Sequence, residues 1–419
     1  MSGTNGTRRR VVVTGIGLVT SLGTGLEENW TNLVAGRSGI SAITRFDASV
    51  LPARVAGEVR DFDPERFIEH RDVKKMDAFI HYAVGAAQMA VEDSGLELPL
   101  ERPERTGVIV GVGIGGITSL ESSYQHFAEK NFRRVSPFFI PRLIPNMASG
   151  QIALRFGARG PNYATTSACA SGAHAIGESL VLIRDGRQDI MLAGGAEAPV
   201  CLLAVGGFSA MRALATEFND EPQRASRPFD ARRDGFVIAE GAAVLVLEAL
   251  DHARARGARV YAELTGYGAN CDAYHMTQPA PEGVGAAECM TLALEDGGMA
   301  PADVGYINAH GTGTQFNDVA ETQAVKRVFG EHARRLAISS TKSMTGHSLG
   351  ASGTIEAAYT VLALARGVLP PTINLEEADP ECDLDYLQDG ARSVQVETAL
   401  SNSFGFGGTN VTLGFRRYS

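Results

Sequence analysis

Apolar residues recur along the 419-residue chain in two alternating modes, short continuous runs and longer stretches at helical spacing. The runs at 10–17 (RVVVTGIG), 107–113 (GVIVGVG), 189–195 (DIMLAGG), 241–248 (GAAVLVLE), 304–310 (VGYINAH), 336–340 (LAISS) and 410–415 (NVTLGF) predict buried strands. Between them, Met76, Phe79, Ile80, Ala83, Ala87, Ala90 and Val91 fall at the spacing of an amphipathic helix, and 285–296 and 318–329 share that period. Residues 170–183 and 350–365 differ, being small or apolar almost all the way round. A helix without a polar face belongs inside a protein. Strands alternating with helices predict an α/β architecture. One buried helix in each half, each behind a strand, points to a duplicated fold, although no repeat is visible residue by residue. The segment HARARGARV (252–260) is the natural seam. It is too short for a flexible linker, so halves at 1–258 and 259–419 are expected to pack as one body.

Length and composition narrow the class. At roughly 150 residues per domain the chain holds two or three domains. Hydrophobic residues make up 44% and charged residues 21%, the balance of a globular protein with a large core. A net charge of −10 gives a nucleic-acid role no electrostatic support. No apolar run approaches the roughly 18 residues that cross a bilayer. The five cysteines (169, 201, 271, 289 and 382) are scattered and form no CxxC, and MSGTNGTRRRVVVTG has no signal-peptide pattern. Reduced thiols and a cytoplasmic location are expected.

Several motifs suggest chemistry, and most have a plainer explanation. VVVTGIGLVTSLG carries Gly15 and Gly17, but Thr20 stands where a dinucleotide fingerprint needs its third glycine. GVGIGG (111–116) also has the wrong spacing, and tight turns explain both better. GHSLG (346–350) fits the nucleophile elbow of serine hydrolases. That fold needs a histidine later in the chain, and none follows His347. Of the nine histidines, His70, His81, His126, His252 and His332 lie in charged or helical contexts expected at the surface. His310 opens HGTGT behind a strand, and His347 closes STKSMTGH ahead of a buried helix. Cys169 sits in TTSACASG, at the start of the other buried helix. In α/β sheets, ligands bind beyond the carboxyl ends of strands. These three residues share that position and form the candidate site. A Cys-His-His zinc site is the remaining alternative, and no closely spaced ligand pair supports it.

ACASG around Cys169, NAHGTGT around His310, STKSMTGHSLGASG around Lys342 and His347, and SNSFGFGGTN (401–410) occur together and in order. They resemble the β-ketoacyl-ACP synthases. SRPFDARRDGFVIAEGA, CDAYHMT and PPTINLEEADPECDLDY point to the elongating type of bacterial fatty-acid synthesis, over essentially the whole chain. The resemblance implies a thiolase-like fold, two similar halves in a five-layered αβαβα sandwich, as a homodimer. It implies a ping-pong Claisen condensation of acyl-ACP with malonyl-ACP, with acyl carrier protein as partner and no cofactor or metal. Catalysis would fall to Cys169, His310, His347 and Lys342, with Glu356 and Asp318 in support. The backbone N–H groups of Cys169 and Phe406 would form the oxyanion hole. Ile114 and Phe406 would gate the acyl pocket, and Thr277, Thr312 and Thr314 would contact the pantetheine arm. Arg71, Lys74, Lys75, Arg133, Arg134 and Arg212 match carrier-docking regions.

The chemistry suits these residue types. A helix N-terminus and nearby donors are expected to lower the thiol pKa of Cys169, which then attacks a thioester. Neutral histidines can donate to the oxygen that gains charge as malonyl loses CO2. A type II polyketide ketosynthase would share every one of these residues. A non-catalytic chain-length factor would lack the cysteine. A thiolase would need a second late cysteine, and only Cys382, in DPECDLDY, is available.

Overall fold

The computed structural model describes residues 8–130 and 135–418. Five strands of the first half, β1 (Val11–Thr20), β2 (Thr106–Gly111), β3 (Asn162–Thr165), β4 (Ile190–Glu197) and β5 (Gly241–Ala249), lie in the order β3-β2-β4-β5-β1. Five strands of the second half, β6 (Ala262–Cys271), β7 (Val304–Asn308), β8 (Ala337–Ser339), β9 (Thr398–Gly405) and β10 (Thr409–Arg417), lie in the order β8-β7-β9-β10-β6. The two orders are the same. The directions match as well: the outer three strands run parallel and the inner pairings are antiparallel in both halves. The sheets meet edge to edge where Val11 pairs with Leu264. Duplication invisible in the residues is therefore explicit in the topology.

Between the sheets lie α2 (Ser171–Arg184) and α5 (Ser352–Arg366), each touching strands of both halves. Small residues let them pack closely: a Cβ on Gly172 would stand 2.4 Å from the Thr354 hydroxyl, and one on Gly353 2.8 Å from the Ala173 nitrogen. Outside the sheets, α1 (Ala78–Ser94) covers β1 and β5, while α3 (Val284–Gly297) covers β6 and β10 and carries α4 (Gln315–Phe329). This is the five-layered thiolase-like sandwich.

Some expectations need correcting. Gly15 and Gly17 are not in a turn. They lie within β1, where α1 crosses so closely that a Cβ would come within 2.2 Å of the Ala90 oxygen and 1.9 Å of the Ala86 oxygen. Helix α1 begins after Met76, with the Asp77 carboxylate accepting the Phe79 N–H, and buries more than one face. His81, His252 and His332 are half-buried rather than at the surface; His81 and His332 meet the carbonyls of Val73 and Val304, and His252 meets Glu248. Strands β3, β6 and β9 were not anticipated. AELTGYGANC is rich in glycine and alanine, and TALSNSFG is polar, yet both are largely buried.

Candidate active site

The third strand of each half ends in a turn that leads into its buried helix, and both turns point into one cavity of about 490 Å³. In the first half the turn carries Cys169. Ala168 is held left-handed at φ 51°, a conformation costing a non-glycine residue about 1–3 kcal/mol that persists only when its surroundings over-determine it. Ser171 supplies that constraint: its hydroxyl accepts the Ser167 N–H at 2.9 Å and donates to the Ala168 carbonyl at 2.7 Å. Thr409, from the other half, donates to the Ser167 carbonyl at 3.1 Å.

In the second half His347 follows β8 and a short helix, Lys342–Thr345. Its N–H donates to the Val237 carbonyl at 2.7 Å. Its ring places Nε2 3.0 Å from the Cys169 sulfur and Nδ1 2.8 Å from the Ser352 hydroxyl. His310 follows β7, and its ring stands edge-on to His347 with centroids 5.4 Å apart. Lys342 donates to the His310 carbonyl at 2.6 Å and faces His310 Nδ1 at 3.3 Å. An ammonium offers only donors, so Nδ1 is the acceptor and the ring proton sits on Nε2. Glu356 receives the remaining reach of Lys342 as a buried ion pair. Asp318, fully buried, accepts the N–H groups of Phe229 and Gly313 and so ties the loop after His310 to the first half.

The electrostatics correct one expectation and agree with another. Cys169 precedes α2, which begins at Ser171 with Ala170 as its cap, so the thiol is not in the first helical turn. Burial pushes its pKa up to about 11, against the nearby Lys342 charge and the Phe406 N–H that pull it down. The resting group is a thiol. Burial, reinforced by Lys342, drives both His310 and His347 well below the usual imidazole range, so both rings are neutral. Burial likewise raises Glu356 to about 7 against the pull of Lys342. The donor atoms of Cys169, His310 and His347 lie within 4.8 Å of one another, but a divalent cation there would face the buried ammonium of Lys342. Cys382 lies buried in the second-half core, apart from this cavity, and burial raises it to about 12.

Ile114, Phe406, Thr277, Thr312 and Thr314 all line the same cavity, and the two threonine hydroxyls of 312 and 314 stand 2.9 Å apart. Phe406 occupies the turn between β9 and β10, beside Gly407 and Gly408 with φ of 86° and 73°. Among the basic residues, Arg212 lines the cavity mouth and Lys74 is exposed, whereas Arg71 and Lys75 already face Glu69 and Asp72. Arg133 and Arg134 lie outside the described residues. Sequence reasoning missed Glu321, whose carboxylate accepts the N–H groups of His310 and Gly311 at 2.9 and 2.8 Å. It missed Glu197, Ser352 and Phe404 as well. A carboxylate ending an otherwise apolar strand, as in DIMLAGGAE, is the one signal that could have flagged Glu197.

Comparison with known proteins places the chain in one family. The family model described as beta-ketoacyl synthase, N-terminal domain, matches residues 8–253, and its C-terminal counterpart matches 261–376. The 3-oxoacyl-[acyl-carrier-protein] synthase 2 of Synechocystis is 51% identical over 411 residues, 98% of this chain and 99% of that protein. That of Coxiella burnetii is 50% identical over 97% of this chain and 98% of its own length. Among solved structures, a type II polyketide synthase acyl-carrier protein in complex with its ketosynthase superposes with a TM-score of 0.92 at 36% identity, covering 99% of this chain and 100% of that one. A beta-ketoacyl synthase from Burkholderia phymatum gives 0.91 at 40% identity, covering 98% and 100%.

Proposed function

The chain belongs to the beta-ketoacyl synthase family, and from that premise we propose that it is the elongating condensing enzyme of type II fatty-acid synthesis. It joins acyl-ACP to malonyl-ACP, giving 3-oxoacyl-ACP, CO2 and free ACP, and takes no cofactor beyond the phosphopantetheine its substrates carry. The observation that carries this is the meeting of one thiol and two neutral imidazoles at a strained turn inside a cavity.

In the first half-reaction the Cys169 sulfur attacks the acyl thioester. A carbon–sulfur bond forms to Cys169, the bond to pantetheine breaks, and the thiol proton ends on the departing pantetheine sulfur. In the second, the malonyl carboxylate leaves as CO2 and its electron pair enters an enolate. The Nε2–H groups of His310 and His347 stabilise that oxygen, each donor worth about 3 kcal/mol in such sites. The enolate carbon attacks the acyl group, whose oxygen is held by the N–H groups of Cys169 and Phe406. Collapse expels the Cys169 thiolate, which recovers a proton from solvent. Lys342 keeps the His310 proton on Nε2, Glu356 balances Lys342, and Asp318 orders the loop bearing Thr312 and Thr314, which hold the pantetheine arm.

The fatty-acid reading is favoured over polyketide synthesis by relatedness: 51% identity to a 3-oxoacyl-ACP synthase 2 against 36% to a type II polyketide ketosynthase. A chain-length factor would not keep the nucleophile. We divide the chain at 1–258 and 259–419, a seam consistent with the gap between the two family models. Carrier docking would use Lys74 and Arg212, with Arg71 and Lys75 beside Lys74 in the sequence; Arg133 and Arg134 belong to the same expectation from the resemblance. A homodimer is supported by the edge strand β3, which among the described residues pairs on one side only and carries exposed Tyr163, with exposed Leu154 on the adjoining helix Met147–Phe156, whereas β8 at the opposite edge is covered by the Asp385 segment. An uncovered apolar edge invites a second copy. No helix among the described residues is long and apolar enough to cross a membrane, and a cytoplasmic location follows from the pathway. The test is to supply acyl-ACPs of graded length with malonyl-ACP and read the products by mass spectrometry. Products two carbons longer are expected; their absence at every length would overturn the reading.

A further inference from the structure

The condensation chemistry gives the glycine-rich loop GVGIGG (111–116) no role beyond presenting Ile114 and leaves its glycines unexplained. Its partner is Glu197, the last residue of β4, which is completely buried. The carboxylate accepts the backbone N–H groups of Gly113 at 2.7 Å, Ile114 at 3.1 Å, Gly115 at 3.0 Å and Gly350 at 3.1 Å. Successive N–H groups converging on one point form an anion nest, and here the anion is a side chain of the same protein. Close approach explains the glycines: a Cβ on Gly113 would lie 2.6 Å from the Glu197 carboxylate, and one on Gly350 2.2 Å from the Gly113 nitrogen. Two strips of the site are thereby joined. Gly113–Gly115 carries Ile114, which lines the cavity with Phe208 and Leu349, and Gly350 lies in the turn just behind His347.

We infer that Glu197 is a positioning residue that sets the acyl-chain length the enzyme accepts, by fastening the backbone of Ile114 to the turn behind His347. The inference rests on the condensing-enzyme reading above. A chain short enough for the cavity leaves Ile114 where it is. A longer one must push the wall back, and the wall hangs from charge-assisted hydrogen bonds that would have to break. Specificity for length then resides in a buried carboxylate that never touches the substrate.

Glu197→Gln keeps the shape but replaces one acceptor oxygen by an amide that cannot accept. The expected result is a ratio of long-chain to short-chain acylation of Cys169 at least fivefold higher than wild type, read by intact-protein mass spectrometry. Malonyl-ACP decarboxylation should change less than twofold. Glu197→Asp, which keeps the charge one methylene short, should fall between. An unchanged ratio, a ratio shifted toward short chains, or a uniform loss across all lengths and decarboxylation overturns the inference. Should the variants fail to fold, hydrogen exchange on the wild type decides. Amides of 111–116 are expected to be protected as β2 is in the free enzyme and to lose protection on long-chain acylation. Fast exchange in the free enzyme, or no change on acylation, overturns it. Wild-type protein that takes no acyl group from any acyl-ACP sinks the condensing-enzyme reading itself, and this inference with it.

Discussion

The two halves share one strand order and put it to opposite chemical use. The turn after the third strand presents a thiol in the first half and an imidazole in the second, and the two meet at 3.0 Å. The loop after the second strand presents Ile114 in one half and His310 in the other. Each of these loops is pinned by a buried carboxylate taking backbone N–H groups, Glu197 in the first half and Glu321 in the second. The support is repeated and the exposed side chain is not. In the proposed reaction one half thus supplies the covalent anchor for the acyl chain, while the other supplies the donors that make a carbon nucleophile. A duplicated scaffold can divide a two-substrate reaction by changing a few positions at strand ends.

Removing the anchor should produce the largest effect. Cys169→Ala is expected to lower condensation by about 10⁴-fold or more, with malonyl-ACP decarboxylation continuing because the histidine pair survives; release of CO2 and of 3-oxoacyl-ACP are measured in parallel. Decarboxylation lost together with condensation would deny the division. His310→Ala is the opposite cut. It should reduce decarboxylation by about 10²–10³-fold, the scale of one lost oxyanion donor, while Cys169 still gains the acyl mass. Normal decarboxylation in this variant would remove His310 from the role.

Smaller changes sharpen the comparison. Ile114→Phe adds bulk to a close-packed wall, and overpacking costs about 1–3 kcal/mol. Acylation by long chains should therefore fall by about ten- to a hundredfold relative to short ones, compared by kcat/KM. Equal rates with both lengths would take Ile114 out of the pocket. The smallest effect concerns charge. With a thiol pKa pushed up to about 11, alkylation of Cys169 by iodoacetamide should keep accelerating beyond pH 9. Lys342 lowers that pKa, so Lys342→Met should raise it further and slow alkylation several-fold at any pH from 7 to 10. A plateau near pH 8 would show that burial does not control the sulfur.

The sequence made Cys169, His310 and His347 legible because each sits at a punctuation mark: a turn of small residues, glycines or hydroxyls ahead of a helix or buried segment. The two buried helices were legible for the same reason, since nothing else explains so many small residues without a polar face. Strand β9 was hidden because its polar side chains point into an internal network rather than into water; Asn402 donates to Glu321 and accepts from Thr412. Glu197 and Glu321 were hidden because most of their partners are backbone N–H groups, which have no letter in the sequence. The pKa of Cys169 was misjudged because proximity to a helix start is readable and depth of burial is not.

In the proposed reaction an acyl group rests on Cys169 between two separable steps. This is tested most directly by mixing the wild-type protein with one equivalent of acyl-ACP, following the intact mass, and then adding malonyl-ACP. An adduct of the acyl mass on Cys169 is expected to persist alone and to disappear as 3-oxoacyl-ACP forms. Product formed without that adduct, or an adduct that malonyl-ACP cannot discharge, would contradict it.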